Sequence, residues 1–408
     1  MNYILLAIPG FLLLIAAEFL WDKYRDTGYY RFNDALNSLA MGMLSRVTQI
    51  LYALIPFSIY AATYERWALF TWENTAIALV LAFVLYDLAY YWVHRVGHVM
   101  NISWASHVIH HSSEEYNLTT ALRQTSVPNV IGWVFYIPLA LLGFPPWILL
   151  TVASFNLLYQ FWVHTQVIRR MPEWYEALFV TPSNHRVHHA KNKCYVDKNY
   201  GGVFILWDRI FGTFQPELDE EKVVFGISTQ LASWNPIWGN LHILFQQFKD
   251  AWYTHSIVDK LTLWFRRTGY RPQDVEQRFP ITKSNEAGDK YDVSLPSAVK
   301  GYLILQLTLL IGGVSGFMYL GPGLNSGDIA LIGTTLAFAL LSQGFVQEQK
   351  SYAWFTETSK LALQAVCCFQ YIEDPLLLNV SLLALLGSFV FVIYRAFDTL
   401  FNTQPQNQ

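Results

Sequence analysis

Several stretches of this chain run apolar for long enough to cross a lipid bilayer, and no other feature constrains its fold as strongly. A helical crossing takes about 20 residues at about 1.5 Å each. Residues 3–21, 74–93, 299–320, 327–346 and 376–394 meet that length. Residues 36–62 form a further candidate despite Arg46 and Pro56, and 356–372 a weaker one. Residues 129–163 are apolar but hold Pro138, Pro145 and Pro146, which predicts a helical hairpin, re-entrant in the bilayer. With 53% hydrophobic and 14% charged residues, the chain reads as an all-α, multi-pass membrane protein. The first apolar run has no basic residue before it and no small-residue cleavage site after it, so it reads as an uncleaved anchor.

The remaining composition mostly excludes. Cys194, Cys367 and Cys368 form no disulfide framework. A net charge of −3 gives no reason to expect a nucleic-acid partner. Lys23, Arg25 and Arg31 lie in segment 22–35, and segment 164–298 carries most of the other positive charge. By the positive-inside tendency both segments belong on the cytosolic side. That path leaves a large polar segment, 164–298, as a cytosolic cap over a domain spanning 1–298. The polar, Gly- and Pro-containing stretch 266–296 links it to a C-terminal helical region, 299–408.

Three short motifs hold eight of the 11 histidines: "HRVGH" at 94–98, "HVIHH" at 107–111 and "HRVHH" at 185–189. The charge argument puts all three on one membrane face, beside span ends. Histidines spaced i, i+3 or i, i+4 share a helix face. His94 with His98, His107 with His110 and His111, and His185 with His188 and His189 therefore each present imidazoles to a common point. One such motif alone is weak evidence; three on one face are strong evidence of metal binding. His164, in "FWVHT", is a ninth candidate or a structural residue, and His242 and His255 lack partners at ligand spacing. Imidazole serves zinc, copper, iron and nickel alike, so spacing leaves the metal open.

The alternatives are separable. A b-type haem carrier needs histidines facing one another inside the span, and a zinc transporter needs them near the mid-membrane. These clusters sit at the edge. Metals at a membrane surface suit oxygen chemistry on a lipid, because soluble substrates gain nothing from that address.

The three boxes together resemble those of the fatty acid hydroxylase / sterol desaturase superfamily of membrane di-iron oxygenases. Over residues 20–275 the chain resembles the alkylglycerol monooxygenase branch in particular. The likeness lies in "YDLAYYWVHR" (86–95), "SWASHVIHHSSEEYNLTTALRQ" (103–124) and "TPSNHRVHHAKNKCYVDKNYGGVFILWDRIFGTF" (181–214), with "RFNDALNSLAMG" (31–42) and "NPIWGNLH" (235–242). This resemblance implies a di-iron centre held by His94, His98, His107, His110, His111, His185, His188 and His189. It implies molecular oxygen as co-substrate and tetrahydrobiopterin as electron donor. It also implies hydroxylation of the carbon beside the ether oxygen of a glycerol ether. One departure is Val99, where an acidic residue is expected after the first box. It keeps open a hydroxylase or desaturase of sterols, fatty acyl chains or carotenoids.

Three further residues are candidates for supporting roles. Asp87 lies two turns before His94 within an apolar span, and intramembrane carboxylates are costly and usually functional. It serves either to orient a histidine or to make a polar contact between helices. Glu114, beside Glu115, follows the second box. Asn184 adjoins the third and either donates to a bound oxygen species or caps a helix. Asp197, Asn199 and Asp208 are expected to organise a loop and a strand-like "GGVFILW" segment. The stretch 238–267 reads either as an amphipathic helix on the membrane or as part of the cap. The host membrane is the inner membrane in a bacterium or the endoplasmic reticulum in a eukaryote.

Overall fold

The computed structural model describes residues 3–72 and 75–401. The tail 402–408, expected to be disordered, lies outside the described residues, as does residue 74 of the second expected span. All regular structure among the described residues is helical, with only isolated β-bridges.

The chain divides into two compact units. The first comprises residues 1–42, 51–231 and 239–290. It holds α1 (Tyr3–Arg25), most of α2 (Phe32–Tyr52), α3 (Leu54–Trp67) and α4 (Thr75–Val99). Short helices α5 (Asn101–Ala105), α6 (Val108–His111) and α7 (Leu118–Ala121) follow. The expected hairpin is a 3₁₀ turn over Gly132–Tyr136, α8 (Ile137–Leu141) and α9 (Pro146–Trp162). Beyond it come α10 (Glu173–Leu178), α11 (Pro182–His188), α12 (Leu206–Ile210), most of α13 (Pro236–Tyr253), α14 (Ile257–Thr262) and α15 (Gln273–Arg278). The second unit comprises residues 43–50, 232–238 and 291–408. It contains α16 (Ser297–Leu320), α17 (Ser326–Gln347), α18 (Ala353–Tyr371) and α19 (Pro375–Phe401).

Among the described residues, five helices are long and apolar enough to cross a membrane: α1, α4, α16, α17 and residues Pro375–Ala396 of α19. The candidate at 36–62 is α2 followed by α3, bent by 50°. Pro56 accounts for the break, since it lacks the N–H that would close the turn onto Tyr52. The weaker candidate, 356–372, does become a helix, α18, but it falls outside the spanning set. It carries Glu357 and Lys360, both fully buried and paired. Tyr302 also donates to Glu357, and Lys360 reaches Gln306 at 2.9 Å. The charge pair is thus spent inside the helix bundle rather than facing lipid.

Alanines govern packing in the first unit. Ala78, Ala82 and Ala89 on α4 let it approach Tyr60 of α3 and Leu139, Phe144, Ile148 and Val152 of the hairpin. Gly143, at φ 85°, turns the hairpin, and a Cβ there would meet the carbonyl oxygen of Phe70 at 1.9 Å. The expected strand-like "GGVFILW" is instead an extended approach, with Phe204 bridged to Phe179, running into α12.

Candidate metal centre

The nine histidines converge, in an arrangement that crosses the sequence motifs. His94, His98, His107, His111 and His188 form one group, and His110, His164, His185 and His189 a second. Within each group the ligand nitrogens lie within 4.8 Å of one another, and every imidazole except that of His107 is buried. The expectation that each box serves a single point is corrected here. The i, i+4 pairs stay together (94/98, 107/111, 185/189), while His110 and His188, at i+3, cross to the other group. Residues i+3 and i+4 point roughly 100° apart around a helix, so one box addresses two centres. The groups are adjacent: the rings of His111 and His189 stack at 4.4 Å.

The hydrogen bonding suits metal ligation. His94 donates from Nδ1 to the carbonyl oxygen of Tyr200 (2.8 Å), His110 to Arg123 (2.9 Å), His164 to Gln160 (2.7 Å) and His188 to Lys198 (2.9 Å). Each bond fixes the tautomer and leaves Nε2 as a bare lone pair. The Nε2 atoms then gather: His94 to His107 at 3.0 Å, His107 to His111 at 3.0 Å, His98 to His111 at 3.1 Å. In the second group His164 lies 3.0 Å from His185 and 3.3 Å from His110, and His185 is 3.2 Å from His189. Two nitrogens about 2.1 Å from a common ion, at right angles, are about 3.0 Å apart. Nε2 of His188 is buried with no partner in the protein. Burial, foremost, pushes the His110 imidazole down to about 4. It holds His107, His111, His164, His185, His188 and His189 well below the ordinary value. These residues are therefore neutral, the state that binds a metal. The donor set fits two transition-metal ions.

The carbonyls that orient the histidines are themselves held. Asp208 is buried and accepts from the N–H groups of Tyr200 (2.7 Å) and Gly201 (2.8 Å) and from the Thr213 hydroxyl (2.6 Å). Asp197 and Asn199 adopt φ of 60° and 56°, flanking Lys198, whose carbonyl meets His188. Asn199 donates to the carbonyls of Asn184 (2.9 Å) and Gln215 (2.7 Å). These residues, read from sequence as loop organisers, thus act on the site through backbone carbonyls.

Asp87 bonds to no histidine. Its carboxylate accepts from Val203 N (2.8 Å), Phe204 N (2.9 Å), Trp207 Nε1 (2.9 Å) and Asn156 Nδ2 (2.6 Å). It anchors the 203–207 segment and α9 to α4, and a Cβ at Gly202 would lie 2.8 Å from its Oδ1. Glu114 accepts from Gln230 (2.7 Å) and faces Arg31 at 3.4 Å. Asn184 is not the cap of α11: Thr181 is, receiving the Asn184 N–H at 3.3 Å. The Asn184 Nδ2 donor is buried without a partner. His242 donates to its own helix at Gly239, and His255 is exposed.

Four neighbours of the centre lie outside the candidates singled out from sequence. The buried Arg123 guanidinium donates to Asn37 (3.1 Å), Ser38 (3.2 Å) and Ser112 (3.0 Å), tying α2 to the end of the second box. Glu18 of α1 accepts from Leu118 N (2.7 Å), Tyr30 (2.5 Å) and Thr165, bracing the segments after the second box and His164. The Tyr116 ring lies 5.3 Å from that of His189 and 5.6 Å from that of His164, and Trp104 lies 5.2 Å from His98. Glu18 alone left a legible signal, a carboxylate inside an apolar run.

Comparison with known proteins places this arrangement. Residues 79–213 match the fatty acid hydroxylase family model. The chain is 36% identical to alkylglycerol monooxygenase of Homo sapiens, over 88% of this chain and 80% of that protein. It is 36% identical to the Danio rerio protein of that name (86% and 79%) and 32% identical to that of Xenopus tropicalis (89% and 81%). No solved structure matches. The family and the histidine groups together point to iron. The chain belongs to the alkylglycerol monooxygenase family, within the fatty acid hydroxylases, and is an oxygen-using lipid monooxygenase with multiple membrane-spanning helices.

Proposed function

We propose that this chain cleaves the O-alkyl bond of glycerol ethers at a di-iron centre. The observation that carries the reading is the pairing of two adjacent, largely buried histidine groups with kinship to alkylglycerol monooxygenases over most of the chain. His94, His98, His107, His111 and His188 would hold one iron, and His110, His164, His185 and His189 the other. Iron bound there would supply oxygen activation, with two protons and two electrons from a reductant, which we take to be tetrahydrobiopterin, reducing the second oxygen atom to water. Hydroxylation of the carbon beside the ether oxygen yields a hemiacetal, which collapses to a fatty aldehyde and glycerol.

The protein's own residues prepare that chemistry. Backbone carbonyls of Tyr200, Arg123, Gln160 and Lys198 lock four imidazoles in place, so ligand geometry costs no reorganisation on loading. Buried, uncharged ligands preserve the positive charge of the ions. Tyr116 and Trp104 pack over histidine rings and keep water from them. The buried Asn184 amide offers a donor to an oxygen atom of the reactants. The basic residues of 22–35 and 164–298 support a centre facing the cytosol.

The deciding experiment is metal analysis of the purified protein followed by product analysis. Close to two irons per chain, lost in a His110→Ala/His188→Ala double variant, is expected. Aldehyde released from a 1-O-alkylglycerol with tetrahydrobiopterin would establish the substrate. Zinc retained after anaerobic iron reconstitution would sink the oxygenase chemistry. Hydroxylated sterol, fatty acyl or carotenoid products in place of aldehyde would transfer the reading to those substrates, the outcome that Val99 keeps open.

A further inference from the structure

Residues 239–265 form a strap with its polarity reversed. Asn240, Gln247 and Asp250 along α13, and Thr254 just past its end, are buried. Leu241, Phe245, Phe248 and Trp252 are exposed on the opposite side, with Trp252 at 79%. The spacing of each set follows the helix, so these are two faces. The exposed apolar face continues through α14 and the turn after it in Ile257, Val258, Leu261 (69%) and Phe265. A helix on a water-facing cap shows the opposite arrangement.

The polar face is satisfied against the protein. Asn240 accepts from Ser126 N at 2.7 Å, Gln247 donates to the Asn101 carbonyl at 2.6 Å, and Asp250 pairs with Arg271 at 2.8 Å. Thr254 donates to Asp274 at 3.0 Å. The strap is also stitched to the end of α4. Asn101 Nδ2 donates to the Leu263 (2.9 Å) and Tyr270 (3.0 Å) carbonyls, and Asn101 N to that of Arg266 (3.0 Å). Thr268 N donates to the Val99 carbonyl at 3.2 Å. α4 is a membrane-spanning helix by length and composition, so its end marks the bilayer surface.

We propose that residues 239–265 are a monotopic membrane anchor, laying their apolar face into the headgroup–acyl boundary beside the end of α4. Two features select lipid over a protein partner. The end of the strap is hydrogen-bonded to the residues at which a spanning helix ends. The exposed cations Lys260 and Arg266 at its end complement anionic headgroups. Asn101 is three residues beyond His98, so the anchor holds the histidine groups at a set level against the bilayer. The inference rests on the chain crossing a membrane and not on which lipid is oxidised.

The test places nitroxide labels one at a time on the otherwise intact chain in single-copy nanodiscs, with the native cysteines replaced by serine. Leu241→Cys, Phe248→Cys, Trp252→Cys, Ile257→Cys and Leu261→Cys probe the face, and Glu220→Cys is the exposed control. Circular dichroism and monodispersity screen each variant, and a variant that fails gives way to another position on the same face. Collisions with oxygen should exceed those with a water-soluble nickel chelate at the face positions, by severalfold relative to Glu220→Cys. Chelate collisions as frequent as at the control would overturn the anchor. So would low collision with both quenchers coupled with label–label broadening at two copies per disc, which would make the face a contact between copies.

Discussion

His110 and His111 are adjacent in the chain yet belong to different histidine groups, His110 with His164 and His185, and His111 with His98 and His107. The split gives a direct prediction. On the proposed di-iron reading, His110→Ala should deplete one iron and His111→Ala the other, each leaving close to one ion per chain. Metal analysis with Mössbauer spectroscopy distinguishes this from loss of both ions together, which would mean a single shared site.

Asp208 reaches the centre only through the backbone that carries the His94 acceptor, Tyr200. Asp208→Asn keeps the size but turns an amide toward N–H donors. Iron affinity should fall by about 10- to 100-fold, the usual cost of disturbing a ligand's support, with the protein still folded. Chelator competition reads the affinity and size exclusion the fold.

Asp87 predicts the contrary pattern. Its four donors come from the scaffold, so Asp87→Asn should lower stability by about 1–3 kcal/mol through unsatisfied buried groups. Iron per folded chain should be retained. Thermal unfolding alongside metal content separates the two; iron loss without destabilisation would assign Asp87 to the centre.

The metal-free protein should be acid-sensitive. Burial holds the His110 imidazole at about 4 when folded, against about 6.5 when unfolded. A depressed folded value means stability that is fully present above the unfolded value. It is lost as pH falls from about 6.5 toward 4, because the unfolded chain takes up protons first. The six other depressed imidazoles outside the spans act in the same direction. Thermal unfolding of metal-stripped protein between pH 7.5 and 4.5 checks the sign, and a flat profile would contradict it.

In the second unit, Lys360→Met strands the buried Glu357 carboxylate and should cost about 3–5 kcal/mol. Glu357→Gln combined with Lys360→Met should recover much of that loss. Denaturation of the single and double variants closes the cycle; additive losses would show that the two side chains act separately.

Much of this protein was legible without coordinates. The apolar runs marked the five helices that, among the described residues, are long and apolar enough to span, because a bilayer demands length and hydrophobicity from consecutive residues. Histidine spacing picked out the eight clustered histidines, because ligand geometry along one helix is a local property. His164 stayed undecided, since its partners lie 54 and 21 positions away. Pro56 was visible, but the 50° bend it permits depends on what packs against it.

The sequence by itself determined that the chain enters a membrane, which residues offer imidazole, and which of them share a helix face. Only the tertiary structure decided which imidazoles face one another. It also decided that Asp87 serves the scaffold while Asp208 serves the centre. The reason is that both are buried carboxylates paid for by hydrogen bonds, and the donors that satisfy them come from backbone brought close by folding. A residue's type and local period are written in the chain; the identity of its distant partner is not.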